Sequence, residues 1–202
     1  MNTYFWEFKS IMLASYLGIY VLSTLSAYII VPRLVQVIEK KTILLIAISF
    51  AALIPPIPII LFINNLLPDT GTWNLFYATI PFVYVANTCL SSSAIIRESM
   101  LGDISDEVEL ESGIGQQGLM FASSSLIGKL NTGLGILMAG ITLEFINFPQ
   151  GTDVTPSAEN IFNLAMVQGP LVAILMIIPF GIFSLYKIDR YRHQQILAKL
   201  NH

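Results

Sequence analysis

Five long apolar runs, separated by shorter polar segments, make up most of this chain of 202 residues. Each run is long enough to cross about 30 Å of hydrocarbon as a helix, which takes about 20 residues. The pattern predicts an all-α, polytopic membrane helix bundle, because a helix satisfies its own backbone hydrogen bonds in lipid. We predict a single membrane domain over residues 1–202, with spans at 11–32, 42–63, 74–96, 117–145 and 160–186 and a polar tail at 187–202.

The composition agrees with a chain dissolved in lipid, since 54% of its residues are hydrophobic, 11% are charged and its mean hydropathy is +0.71. The net charge of -3 is small and forms no basic stripe, which argues against a nucleic-acid partner. Cys89 is the one cysteine, which excludes an intramolecular disulfide and a multi-cysteine metal site. The histidines are His193 and His202, both in the tail, so no metal site and no metalloenzyme is predicted.

The positions of lysine and arginine predict how the chain crosses the membrane, because cytoplasmic loops near spans are enriched in these residues. With the N-terminus outside, every cation except Lys9 and Lys129 lies in a cytoplasmic segment. The opposite orientation would reverse that distribution. We therefore predict an external N-terminus and a cytoplasmic C-terminus, with the tail at 187–202 on the cytoplasmic side.

The second span carries Pro55, Pro56 and Pro58 near its middle, and each proline removes a backbone donor and clashes with the preceding turn. This helix is predicted to be sharply bent or broken. One interpretation is a discontinuous helix that lines a cavity. The other is a kinked packing helix whose freed carbonyls are satisfied by neighbouring helices.

Lys129 lies well inside the fourth span, where an ammonium costs at least a few kcal/mol unless it is paired, snorkels or faces water. Helical spacing puts Ser125 and Thr132 on the same stripe, flanked by Ser124 and Asn131. The stripe predicts one wall of an aqueous cavity. The alternative is that Lys129 pairs inside the bundle while the small residues allow close helix packing.

Asn87 lies in the third span, where an amide usually bonds across helices. The alternative interpretation places Asn87 on the same cavity as Lys129.

An acidic segment at residues 97–116 is predicted to be a loop between the third and fourth spans. Its carboxylates could cap a short helix, pair with Arg97 or with basic residues of other cytoplasmic loops, or be solvated. Their order does not fit a calcium loop, and no nucleophile or substrate pocket accompanies them, so enzymatic chemistry is not predicted. The acidic residues are Asp103, Asp106, Glu107, Glu109 and Glu111.

The sequence GDISDEVELESG at residues 102–113, followed by Gly118, Phe121, Ala122 and Lys129-Leu130, resembles the connection between the tenth and eleventh helices of the glycoside-pentoside-hexuronide cation symporters. These proteins are the melibiose-carrier-like branch of the major facilitator superfamily. The segment IVPRL at residues 30–34, with Lys40 and Lys41, is similar to the end of that family's eighth helix. The resemblance implies that the chain corresponds to helices 8 to 12.

By this resemblance the chain is the C-terminal portion of a cation-coupled sugar or glycoside symporter that works by alternating access. Asp103 and Asp106 would belong to a cytoplasmic gate that ties the two halves of the carrier together. Lys129 would face the central sugar and cation cavity, with Ser124 and Ser125 on the substrate side. No cofactor is implied beyond a coupling cation, Na⁺ or H⁺, and the expected location is the bacterial inner membrane.

Two features depart from the resembling family. Gly115 and Gln117 stand where the family has an arginine and a glutamate. The family binds its substrate between two six-helix halves, and this chain supplies five helices of one half. The expectation is therefore a truncated carrier or one that needs a complementary half. The alternatives are a non-transporting membrane remnant or scaffold, and a lipid-type carrier of the same superfamily.

Overall fold

A computed structural model describes residues 2–149 and 156–185, and the predicted tail at 187–202 lies outside these residues. Within them, five helical segments are long and apolar enough to cross a membrane, and no strand occurs. The predicted all-α polytopic bundle is confirmed. The segments are Ser10–Val37, Lys40–Ile63, Trp73–Ser112, Gln117–Phe145 and Ala158–Phe183.

In order along the chain, the described helices are α1 (Ser10–Val37), α2 (Lys40–Leu53), α3 (Pro56–Ile63), α4 (Trp73–Ser112), α5 (Gln117–Phe145), α6 (Ala158–Met166), α7 (Val172–Leu175) and α8 (Ile177–Ser184), with a π-helical turn at Val167–Leu171 between α6 and α7.

Helix α4 is the centre of the bundle, and it packs against α1 and α2. Two apolar cores lie at opposite ends of this three-helix unit, the first of which we call the Trp6 end and the second the Lys40 end. The core at the Trp6 end consists of Phe5, Trp6, Phe8, Met12, Tyr16, Ile59, Leu75, Phe76 and Ala165. The core at the Lys40 end consists of Val31, Ile43, Leu44, Ile48, Ile96 and Met100.

The N-terminal residues form a small cap over the Trp6 end. The amide of Gly71 donates to the carbonyl of Trp6 at 2.9 Å, and the Thr70 hydroxyl donates to the Glu7 carboxylate at 2.8 Å. These bonds attach the start of the chain to the connection before α4. They also place an aromatic cluster at the end of the bundle, where amphipathic rings suit a membrane interface.

The prediction of a loop over residues 97–116 is wrong, because α4 continues without a break to Ser112. At 1.5 Å per residue, its 40 residues extend about 60 Å, or roughly twice the hydrocarbon thickness. The extension is held because Met100 and Asp103 are buried against the bundle. Gly113 ends the helix with φ +69, a left-handed conformation that glycine adopts without strain.

The second span is interrupted where the prolines predict. Helix α2 ends at Leu53 and α3 begins at Pro56. The interruption packs against the π-helical turn, where Gly169 is buried. A Cβ atom on Gly169 would lie 2.7 Å from Cδ1 of Ile59 and 3.6 Å from Cα of Pro56. This close contact favours the kinked packing helix over a broken helix that lines a cavity.

Replacing Gly169 with leucine should destabilise the chain by about 1–3 kcal/mol, because the larger side chain overpacks a contact with the proline interruption. The measurement is the free energy of unfolding in mixed micelles. Gly133→Leu is the matched control, since a Cβ at Gly133 would meet no atom within 4 Å. Equal stability of the two variants would contradict the packing described for Gly169.

Helix α5 differs from the central helices because none of its residues is buried. Its contacts are mainly with α4, and apolar side chains are exposed around its circumference. Such a surface is stable against lipid or against other membrane helices, but not against water. The described chain therefore presents α5 as an outlying helix with room for neighbours on several sides.

Candidate functional site

A seam of polar side chains joins α1 and α4 through the middle of the bundle. The Tyr16 hydroxyl and Thr79 Oγ1 lie 2.7 Å apart, and the hydroxyls of Thr24 and Ser91 lie 3.2 Å apart. Ser26 also pairs with the Tyr84 hydroxyl. Each bond satisfies groups that would be costly to leave unpaired in hydrocarbon. The seam therefore fixes the register of α1 against α4.

Asn87 belongs to this seam. Its Nδ2 atom donates to Ser23 Oγ and also lies 3.3 Å from the backbone carbonyl of Tyr20. Asn87 is therefore used in contact between helices, which was one of the two interpretations of the sequence. Asn87 is not among the residues that line the two grooves described next. Its place on the cavity of a complete carrier stays a prediction.

The first groove, which we call the seam groove, lies beside the contact of α1 with α4. It has a volume of about 360 Å³. Tyr28 stands at its edge with 61% of its surface exposed. The residues that line the seam groove are Thr24, Tyr28, Ser91, Ala94, Ile95 and Glu98.

The second groove, the α4–α5 groove, is larger, with a volume of about 900 Å³. On its α5 wall, Ser124, Ser125 and Asn131 stand among apolar side chains. Arg97 and Glu98 line the opposite wall, on α4. Glu98 lines both grooves, so the two form one concave surface across α1, α4 and α5.

An ion pair between Lys40 and Asp103 fastens the Lys40 end of the bundle. The Lys40 ammonium lies 2.7 Å from Oδ1 and 2.8 Å from Oδ2 of Asp103. The Asp103 side chain is only 10% exposed and that of Lys40 is 25% exposed. The pair joins α4 to the first residue of α2. It matches the expectation that an acidic residue pairs with a basic residue of another predicted loop.

Asp106 lies one turn further along α4, where it faces the start of α5. The Gln117 side-chain amide donates to Asp106 Oδ1 at 3.4 Å, a long hydrogen bond. A glutamate at position 117 would instead set two negative charges against each other. With glutamine at position 117, a weak attraction to Asp106 across the turn at residues 113–116 replaces the repulsion that a glutamate would cause.

The sequence matches the family model described as MFS/sugar transport protein over residues 1–190. The chain belongs to this family of the major facilitator superfamily. No curated protein and no solved structure matches it significantly. Family membership, together with the five apolar helices of the described residues, identifies an integral membrane protein and a sugar transporter. A lipid bilayer and a small-molecule substrate are the partners that fit it.

Three of the residues predicted for the cavity of this transporter lie on α5. Ser124 and Ser125 line the α4–α5 groove, but Lys129 does not, although Gly128 and Asn131 on either side of it do. Lys129 is exposed and makes no hydrogen bond or ion pair with another residue that the structure describes. Pairing of Lys129 inside the bundle is therefore not observed among the described residues.

Within residues 2–149 and 156–185, the transporter holds no cluster of three or more metal-ligating side chains. Tyr28, Thr24 and Glu98 were not predicted as site residues from the sequence. The signal for Thr24 and Tyr28 was the four-residue spacing of Tyr20, Thr24 and Tyr28 on α1, which puts polar groups on a single helix face. That spacing alone does not say which helix the face meets.

Proposed function

We propose that this chain forms helices 8 to 12 of a cation-coupled sugar symporter of the melibiose-carrier-like branch, working by alternating access. The observation that carries the proposal is the match to the sugar-transport family over residues 1–190. The concave surface across α1, α4 and α5 supports it, because it sets hydroxyl, amide and charged groups among apolar side chains, the combination that small-solute sites use.

A complementary half is part of the proposal. No residue of α5 is buried, and both grooves lie open at the surface of the described bundle. A polar cavity in a membrane must be closed off from lipid, since charged groups there are costly against hydrocarbon. A second set of helices facing α1, α4 and α5 would enclose the polar surface and complete a substrate site between two halves.

We assign Ser124 and Ser125, which line the α4–α5 groove, to the wall of that cavity, together with Lys129, which is exposed on α5 outside the groove. Asp103 and Asp106 form the cytoplasmic gate. In this chain both aspartates are also tied to neighbouring helices, Asp103 to Lys40 and Asp106 to Gln117. Both gate residues are therefore also held by contacts within this chain. A partner half would dock against the end of α4. The proposed orientation has the Lys40 end in the cytoplasm of a bacterial inner membrane.

The test is uptake of radiolabelled sugars into vesicles that hold this chain together with its complementary half. The panel comprises glucose, galactose, xylose, glucuronate and melibiose. We expect accumulation of at least one sugar, driven by an inward Na⁺ gradient or by an inward H⁺ gradient. Vesicles without the chain are the control.

Each contrary result has a defined meaning. Uptake that depends on neither the Na⁺ gradient nor the H⁺ gradient would contradict cation coupling. Movement of a fluorescent phospholipid between leaflets, without sugar uptake, would favour a lipid-type carrier. No movement of either solute would favour a non-transporting scaffold.

A further inference from the structure

Glu98 is the point at which the seam groove and the α4–α5 groove meet. Its side chain is 47% exposed, and Oε1 lies 3.3 Å from Nη2 of Arg97, the preceding residue. This exposed pair is a weak one, which contributes about 0–1 kcal/mol. The carboxylate therefore keeps free acceptor positions toward both grooves, since an ionised carboxylate offers about four lone pairs.

The residues around Glu98 combine an aromatic ring with hydroxyl groups. Tyr28 lines the seam groove and is largely exposed, and Thr24 and Ser91, whose hydroxyls lie 3.2 Å apart, line the same groove. Ala94 and Ile95 supply apolar contact in the same groove. An amphipathic ring beside a carboxylate suits a flat solute that carries C–H groups on one face and hydroxyls at its edge.

Groups that can form hydrogen bonds lie on both sides of Glu98. Arg97 and Glu98 are both about half exposed on α4. The α4–α5 groove continues past Glu98 to Ser124 and Ser125 on α5, which stand among apolar side chains. A mixture of apolar surface and a few polar groups is typical of a site for a small solute.

We propose that Glu98 binds hydroxyl groups of the transported sugar, with Tyr28 packing against the face of the sugar ring. This inference rests on the proposed sugar transport and assigns its recognition site to the junction of the two grooves. The carboxylate accepts hydrogen bonds from adjacent hydroxyls of the sugar. The seam groove and the α4–α5 groove then hold opposite ends of one solute.

The first test is Glu98→Gln, which keeps the size of the side chain but removes its charge and one acceptor oxygen. A hydrogen bond to a charged group contributes about 1.5–3 kcal/mol, so KM for uptake should rise about tenfold to hundredfold. The maximal rate should change much less, because the variant loses binding and not the conformational cycle. Glu111→Gln, an exposed acid on the same helix outside both grooves, should leave KM unchanged.

The second readout separates recognition from a structural role. The unaltered chain should reject deoxy analogues of its sugar that lack the bonded hydroxyl, because the carboxylate is then left without its donor. Glu98→Gln should transport the sugar and that analogue at more nearly equal KM. If Glu98 only supported folding, its replacement would not change the ratio of the KM values for the sugar and the deoxy analogue.

The third readout is chemical labelling, with Cys89→Ala as the background. Maleimide labelling of Ala94→Cys, in the seam groove, should slow in the presence of the transported sugar. Labelling of Ile114→Cys, exposed in the turn before α5, should not. Sugar uptake with an unchanged KM in Glu98→Gln and no protection of Ala94→Cys would overturn this inference and leave the proposed function standing. Absence of any sugar uptake by the unaltered chain would overturn both.

Discussion

Replacing Lys129 with alanine should lower the initial rate of sugar uptake by about tenfold to hundredfold, the range expected when a charged hydrogen-bonding group is removed from a substrate site. Lys129 lies within the span Gln117–Phe145, is exposed, and has no partner among the described residues. An ammonium is costly at such a place unless water or a solute meets it. A role in the proposed cavity supplies that contact.

The same replacement should leave the fold intact. Lys129 fills no packed space, so alanine there creates no cavity and leaves no buried charge behind. The thermal midpoint in detergent should therefore change by no more than a few degrees. The measurement pairs that midpoint with uptake by vesicles that hold this chain and its complementary half.

Lys9→Ala is the matched control for Lys129, because Lys9 is a lysine that precedes the first helix. It should transport at the unaltered rate. Uptake by Lys129→Ala equal to that of this control would remove Lys129 from the mechanism. A lowered thermal midpoint together with lost uptake would instead assign Lys129 a structural role.

Replacing Asp103 with asparagine should lower the free energy of unfolding by about 2–3 kcal/mol. Both carboxylate oxygens of Asp103 contact the Lys40 ammonium, and the change removes their negative charge. The Lys40 side chain, which is only 25% exposed, then keeps its positive charge without this anionic partner. Stability is measured by unfolding in mixed micelles at constant detergent composition. The loss should decrease only modestly at high salt, because a largely buried pair is poorly screened.

Glu111→Gln is the control for Asp103→Asn, since it removes a negative charge from an exposed position on the same helix. Surface changes of this kind usually alter stability by no more than about 0.5 kcal/mol. A loss of the same size in both variants would assign the effect to the net charge of α4. It would not support a specific stabilising role for the Lys40–Asp103 ion pair.

Much of the fold could be predicted from the sequence because the bilayer restricts the choices. A run such as residues 117–145 must be a helix in hydrocarbon, and the proline cluster at 55–58 must interrupt one. The end of α4 could not be predicted in this way. Its acidic residues look like a solvated loop, but the burial of Met100 and Asp103 against the bundle keeps it helical to Ser112.

The roles of the candidate site residues stay predictions. Ser124 and Ser125 line the α4–α5 groove, and Asn87 bonds within the seam. Local spacing tells which residues share a face and not which helix that face meets. Glu98 was overlooked for the same reason, because a single acid beside Arg97 at the end of a predicted span looks like an interfacial charge.

Solvent preference is a property of local sequence, so hydropathy and proline positions were sufficient for the number of spans, the all-helical class and the interruption in the second span. Which residues contact one another depends on which helices pack together, and the packing of helices is decided by the whole chain. The tertiary structure alone brought Lys40 to Asp103, 63 positions away, and Thr24 to Ser91, 67 positions away. It also joined two grooves at Glu98, because α4 packs between α1 and α5.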